Sequence, residues 1–81
     1  MAGNSFYNQQ VLIGEIERRN DKIRIHANET KGGKFVIDVR IFFTPDDEQW
    51  LPTKKGISID YEDIEQLEKF ITEAKDVLAE M

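Results

Sequence analysis

The chain has no cysteine, only two prolines and a single histidine in 81 residues. Without cysteine there is no disulfide and no thiolate set for structural zinc. The longest apolar runs, Phe35–Ile37 and Ile41–Phe43, are far too short to cross a bilayer. The opening MAGNSFYNQQ has neither a basic start nor an apolar stretch, so it does not read as a signal peptide. The expected compartment is the cytoplasm. Repeats, low-complexity tracts and interior linkers are also missing, which predicts one domain over residues 11–81 behind a flexible segment, 1–10.

A chain of this size buries roughly 60–65% of the surface that it exposes when unfolded. With neither disulfide nor metal to compensate, association is the remaining common remedy, and a homodimer is expected.

The formal net charge is -5, but it is unevenly placed. Residues 60–81 carry eight acids against Lys69 and Lys75, whereas residues 1–59 carry nine bases against eight acids. Three of those eight acids are the run Asp46, Asp47, Glu48. Net charge alone would argue against a polyanionic partner; segregated charge does not.

Residues 11–17, VLIGEIE, read as a strand in which Gly14 marks a bulge or bend. Residues 22–27 alternate strictly, with Ile23, Ile25 and Ala27 on one face and Lys22, Arg24 and His26 on the other. Gly32 and Gly33 suit a hairpin because both can take positive φ. Residues 34–43 form the longest strand: Phe35, Ile37, Val39 and Ile41 oppose Lys34, Val36, Asp38, Arg40 and Phe42. Pro45 and Pro52 mark a loop, and residues 56–59 form a short fourth strand. The last segment is a helix with Asp60 as N-cap and acids suited to the positive end of its dipole. Its apolar residues Ile64, Leu67, Ile71, Ala74 and Leu78 alternate in 3,4 spacing, a seam for packing on the sheet and on a partner subunit.

Four strands followed by one helix predict an α+β fold, an antiparallel sheet with a helix on one face. The other face, with Lys22, Arg24, Lys34 and Arg40, is left to solvent or a ligand.

Two stretches in register make the sequence resemble the transcriptional coactivator family called positive cofactor four, whose members bind single-stranded DNA. FVIDVRIFF, residues 35–43, looks like that family's I-D-[IV]-R-x-[YW]-[YW] strand. KKGISI, residues 54–59, looks like its [KR]-K-G-I-[ST]-[LI] signature. The resemblance runs from about Ile13 through the helix. It implies a non-enzymatic homodimer whose curved sheets form channels for single-stranded DNA, with a transcription-cofactor role and contact with the transcription machinery. Carried over by position, the nucleic-acid contacts are Lys22, Arg24, Lys31, Gly32, Gly33, Lys34, Arg40, Phe43, Lys54 and Lys55. The family has tryptophan where Phe43 stands and often an aromatic where Lys31 stands. The serine- and lysine-rich tail of eukaryotic members is absent, which favours a bacterial or phage, nucleoid-associated setting.

Arg40 and Phe43 are three residues apart, so a regular strand puts them on opposite faces. Either a bulge near Ile41 and Phe42 re-aims Phe43, or Phe42 is the stacking residue. Trp50 is a loop anchor or a second stacking surface. Lys31 to Lys34 lack the full phosphate-loop pattern, and the Asp46–Glu48 run lacks calcium-loop spacing, so neither a nucleotide cradle nor a metal site is expected. His26 has no nucleophile or base beside it in sequence, and no enzyme and no cofactor are read here. Two alternatives remain: a module that docks acidic protein partners on the basic sheet face, and an RNA-binding relative.

Overall fold

The computed structural model describes residues 6–81. Four strands, β1 (Tyr7–Glu17), β2 (Asp21–Thr30), β3 (Phe35–Phe43) and β4 (Leu51–Asp60), lead through a 3₁₀ turn (Tyr61–Asp63) into one helix, α1 (Ile64–Glu80). The strands pair in chain order, all antiparallel, as a meander. The α+β expectation holds. Residues 7–10, expected in a flexible lead, belong to β1 and pair with β2; residues 1–5 of that segment lie outside the described residues.

Each turn has its own local cause. Arg18 closes the β1–β2 turn, its N–H donating to the Asp21 carbonyl at 3.0 Å and its guanidinium to the Asp21 carboxylate at 2.7 and 2.9 Å. In the β2–β3 turn Gly33 alone takes the left-handed conformation, at φ 87°, and Gly32 does not. The Thr30 hydroxyl accepts the Lys34 N–H there at 3.0 Å. The β3–β4 loop turns on Asp47, at φ 62°, while the Asp46 carboxylate accepts the Glu48 N–H at 3.1 Å.

β4 begins before Pro52, which the sequence reading left in a loop. The proline is tolerated because β4 is an edge strand. Pairing slips between Arg40↔Gly56 and Phe42↔Pro52, so β4 spends extra residues, Thr53 to Lys55, opposite a single residue of β3. The Thr53 hydroxyl fills the gap, donating to the Ile41 carbonyl at 2.7 Å and accepting the Lys55 N–H at 3.1 Å. The bulge therefore lies in β4, whereas the β2–β3 register runs unbroken from Glu29↔Phe35 to Asp21↔Phe43.

The two sheet faces invert the usual burial. Asn28, Asp38, Lys22 and His26, all on the polar face, are only 3, 4, 8 and 8% exposed, along with Val36 and Phe42. On the opposite face Ile16, Phe35 and Ile57 are more than half exposed, and Ile23, Ile25, Ile37, Val39 and Ile41 are only half-buried. The sheet thus wraps around its charged side and leaves its apolar side open. The charged side was expected to be the open one.

The helix also departs from expectation, because it does not cover its own sheet. None of its residues is buried, and it meets the rest of the chain chiefly through the 3₁₀ turn. Only its first residue, Ile64, joins Val11, Ala27, Phe35, Ile37 and Tyr61 around an apolar cavity of about 420 Å³. Phe70, Ile71, Val77 and Leu78 remain at least half exposed. Asp60 stands at the start of the 3₁₀ turn without a side-chain capping bond, its carboxylate 3.7 Å from Lys34 Nζ. No helix among the described residues is long and apolar enough to cross a membrane.

Candidate nucleic-acid interface

Alternation along β2 and β3 brings Lys22, Arg24 and His26 to the same face as Asp38, Arg40 and Phe42. The register sets Arg24 opposite Arg40, His26 opposite Asp38 and Lys22 opposite Phe42. Two arginines directly across from one another repel. Two carboxylates relieve the repulsion. Asp38 takes Arg40 in a two-point contact at 3.0 and 2.9 Å, and Glu15 of β1 takes Arg24 at 2.5 Å and Lys22 at 3.0 Å.

Asp38 is held on both sides, since Ser58 of β4 also donates to it at 2.8 Å. Burial alone pushes the Asp38 carboxyl up. The hydrogen bonds from Arg40 and Ser58 outweigh that and keep it below the usual carboxylate range. Glu15 is likewise held low, first by the Lys22 hydrogen bond and then by that from Arg24. Arg40 spends a further N–H on the Thr53 carbonyl at 3.1 Å. Its guanidinium lies across Gly56, where a Cβ would sit 2.8 Å from Arg40 Cζ and 2.7 Å from the Val39 carbonyl oxygen. The absent side chain at position 56 is what lets Arg40 lie flat on the sheet. This is the close backbone approach that glycine in the KKGISI stretch makes available.

Around these charges lie rings. Arg24 Cζ stands 4.8 Å from the Phe42 ring centre, and the His26 and Phe42 rings are 5.9 Å apart and tilted by 42°. Burial lowers the basicity of His26, with Asp38 opposing it more weakly. The resulting groove, about 720 Å³, runs over Arg24, His26, Asp38, Arg40 and Phe42, between Phe6, Tyr7 and Gln10 of one edge and Pro52, Thr53 and Lys54 of the other. At its end Lys22 Nζ lies 4.3 Å from the Trp50 ring centre, beside a second cleft of about 650 Å³ that includes Arg18, Arg19 and Thr44. Trp50 is half-buried, held under this cation.

Of the residues expected at the interface, Arg24, Arg40 and Lys54 line the groove and Lys22 closes one end. Lys55 is exposed outside the groove lining, and its charge bears on Asp21. Lys31, Gly32, Gly33 and Lys34 stand in the β2–β3 turn, also outside the lining. Phe42, not Phe43, is on the groove face. The unbroken β2–β3 register leaves Phe43 on the opposite side, 40% exposed. Glu15, Tyr7, Thr53 and Ser58 were not singled out from sequence. Their signals were a bulge beside Gly14, a strand that starts earlier than its apolar pattern, and a bulge hidden in a presumed loop. Among the described residues, His26 Nδ1, both amide atoms of Asn28 and the Thr44 hydroxyl are buried without a hydrogen-bond partner.

The structure is thus a four-stranded meander cupped around paired arginines and aromatic rings, with a trailing amphipathic helix. Residues 18–70 match the family model described as Transcriptional Coactivator p15 (PC4), and the chain belongs to this family. Among solved structures it is similar to a PC4 homolog from Burkholderia pseudomallei in two crystal forms. The orthorhombic form is 28% identical, with a TM-score of 0.74 over 88% of this chain and 96% of that one. The tetragonal form is 26% identical, with a TM-score of 0.73 over 83% and 98%. No curated protein matches the sequence.

Proposed function

We propose that the chain binds single-stranded DNA in the groove between β1 and β4, as a homodimer and with little base preference, in a coactivator-like role. The observation that carries this reading is the interleaving of Arg24, Arg40 and Lys54 with the rings of Phe42, His26 and Tyr7 in one elongated groove. Cations that track phosphates and rings on which bases stack are what sequence-tolerant single-strand binding requires. Family membership and the likeness to a PC4 homolog support the same reading.

Two features support the homodimer. The apolar sheet face and the apolar stripe of α1 are both uncovered in one chain. A second copy would cover them through a symmetric, isologous interface and set two grooves side by side. The acidic helix surface would then repel a polyanion from the wrong side.

Fluorescence polarisation with labelled dT oligonucleotides of increasing length, against duplex of equal length, tests the reading. Affinity that rises with length and exceeds that for duplex is expected. Equal or tighter duplex binding, or tighter binding of acidic peptides, would overturn it.

A further inference from the structure

The β1–β2 pairing slips between Leu12↔His26 and Gly14↔Ile25. Before the slip, Gln10 and Leu12 share the groove face with Asn28 and His26. Unbroken alternation would send Gly14 and Ile16 to the groove and Glu15 to the apolar side. The extra residue, Ile13, exchanges the faces. Glu15 now stands opposite Arg24 and Glu17 opposite Lys22, while Ile16 pairs with Ile23 on the apolar side. A one-residue bulge thus brings a carboxylate, itself outside the groove lining, onto Lys22 and Arg24 at the groove's end.

The two carboxylates that hold these cations are not equivalent. Asp38 is buried, its side chain 6% exposed, and is fixed by Arg40 on its own strand and Ser58 on the next. Glu15 keeps 26% of its side chain exposed and engages Lys22 and Arg24 with one oxygen each. Glu15 is the most exposed member of both pairs, the Lys22 and Arg24 side chains being 10 and 22% exposed, so it is the member that another anion can replace.

We propose that Glu15 is a built-in counter-anion: it holds Lys22 and Arg24 in the free protein and yields them to backbone phosphates of a bound single strand. The inference rests on the single-strand reading above and adds a determinant of affinity and selectivity. A free phosphate must compete with a carboxylate tethered beside its cations, at a high effective concentration. A strand already held at Arg40, Lys54 and Phe42 presents its phosphates with the same advantage. Glu15 therefore filters against small anions while permitting a polymer.

The test uses the full chain and a labelled dT oligonucleotide near 0.1 M salt. Glu15→Gln should bind about 2- to 5-fold more tightly than wild type, the scale of one surface ion pair removed. Inorganic phosphate alone, followed by NMR shifts at Lys22 and Arg24, should also bind that variant at lower concentration than wild type. Glu15→Ala, lacking the side-chain carboxylate altogether, should shift affinity in the same direction. Glu17→Gln makes the same charge change one pair along the strand and should gain less than about twofold, because Lys22 and Arg24 bond to Glu15 and not to Glu17. In an Arg24→Ala background the gain from Glu15→Gln should shrink.

Unchanged or weaker dT binding by Glu15→Gln with an unaltered melting temperature would overturn the inference alone. An equal gain from Glu17→Gln would do so too, since it would reduce the effect to net charge. A wild-type chain with no affinity for dT would remove the functional reading and this inference together.

Discussion

Phe42 and Phe43 show how one residue step decides chemistry. Adjacent in sequence and alike in type, they lie on opposite faces, and only Phe42 touches Arg24 and His26. Phe42→Leu keeps an apolar side chain in the buried position but removes the ring. It should weaken dT binding by about 1–3 kcal/mol while leaving the salt slope unchanged. Phe43→Leu should leave affinity near wild type. The reverse pattern in the same polarisation assay would show that the stacking ring is on the other face. Alternation placed the cations in the sequence reading; it could not settle this pair, because the compensating bulge lies in β4.

The buried Asp38–Arg40 pair and His26 also predict a pH response. Asp38 is held below its ordinary 3.8, so its stabilisation is present above that value and is lost as pH falls through its depressed folded pKa. His26 is held below its ordinary 6.5, so the fold favours neutral imidazole, and stability declines as pH falls below that value. Urea midpoints should therefore drop from neutral pH into mild acid, and His26→Gln should remove the first part of that drop. A midpoint flat across 6.5 in wild type would contradict the burial assigned to His26.

At the scale of elements, β4 and its bulge decide which lysine faces the groove. Lys54 lines the groove whereas Lys55 does not, although in sequence the two are indistinguishable neighbours. Lys54→Ala should weaken dT binding and make the log–log salt slope shallower by about 0.7, one counterion fewer. Lys55→Ala should change the slope by less. A larger effect from Lys55 would mean that the strand passes outside the groove. Arg40 is less suitable for this test, because its removal strands a buried carboxylate at a cost of about 3–5 kcal/mol. The helix was legible from its 3,4 spacing. What it packs on was not, since one chain's periodicity says which face is apolar and not whose surface covers it.

For the whole molecule, the consequence is an unfinished interior. Its extents, 48 × 34 × 18 Å, describe a flat body with an uncovered sheet face and an uncovered helix stripe. Light scattering should give twice the chain mass of 9.4 kDa at micromolar concentration. Leu78→Asp, placing a charge in the helix stripe, should lower that mass or unfold the protein. A stable wild-type monomer, or a Leu78→Asp variant indistinguishable from wild type, would contradict the shared-core account. Size and composition raised the expectation of a partner, and the uncovered faces are what the proposed dimer rests on. The sequence did not show that the polar face would be the enclosed one, because that follows from the curl of the sheet and its three register shifts rather than from any residue pattern.

The most direct test of the groove itself is backbone amide NMR during titration with a dT oligonucleotide. Shift changes should concentrate at Arg24, His26, Arg40, Phe42, Thr53 and Lys54, leaving the outer acidic positions of α1, such as Glu68 and Glu73, nearly unmoved. Changes centred on the apolar sheet face or on α1, with the groove silent, would contradict the account.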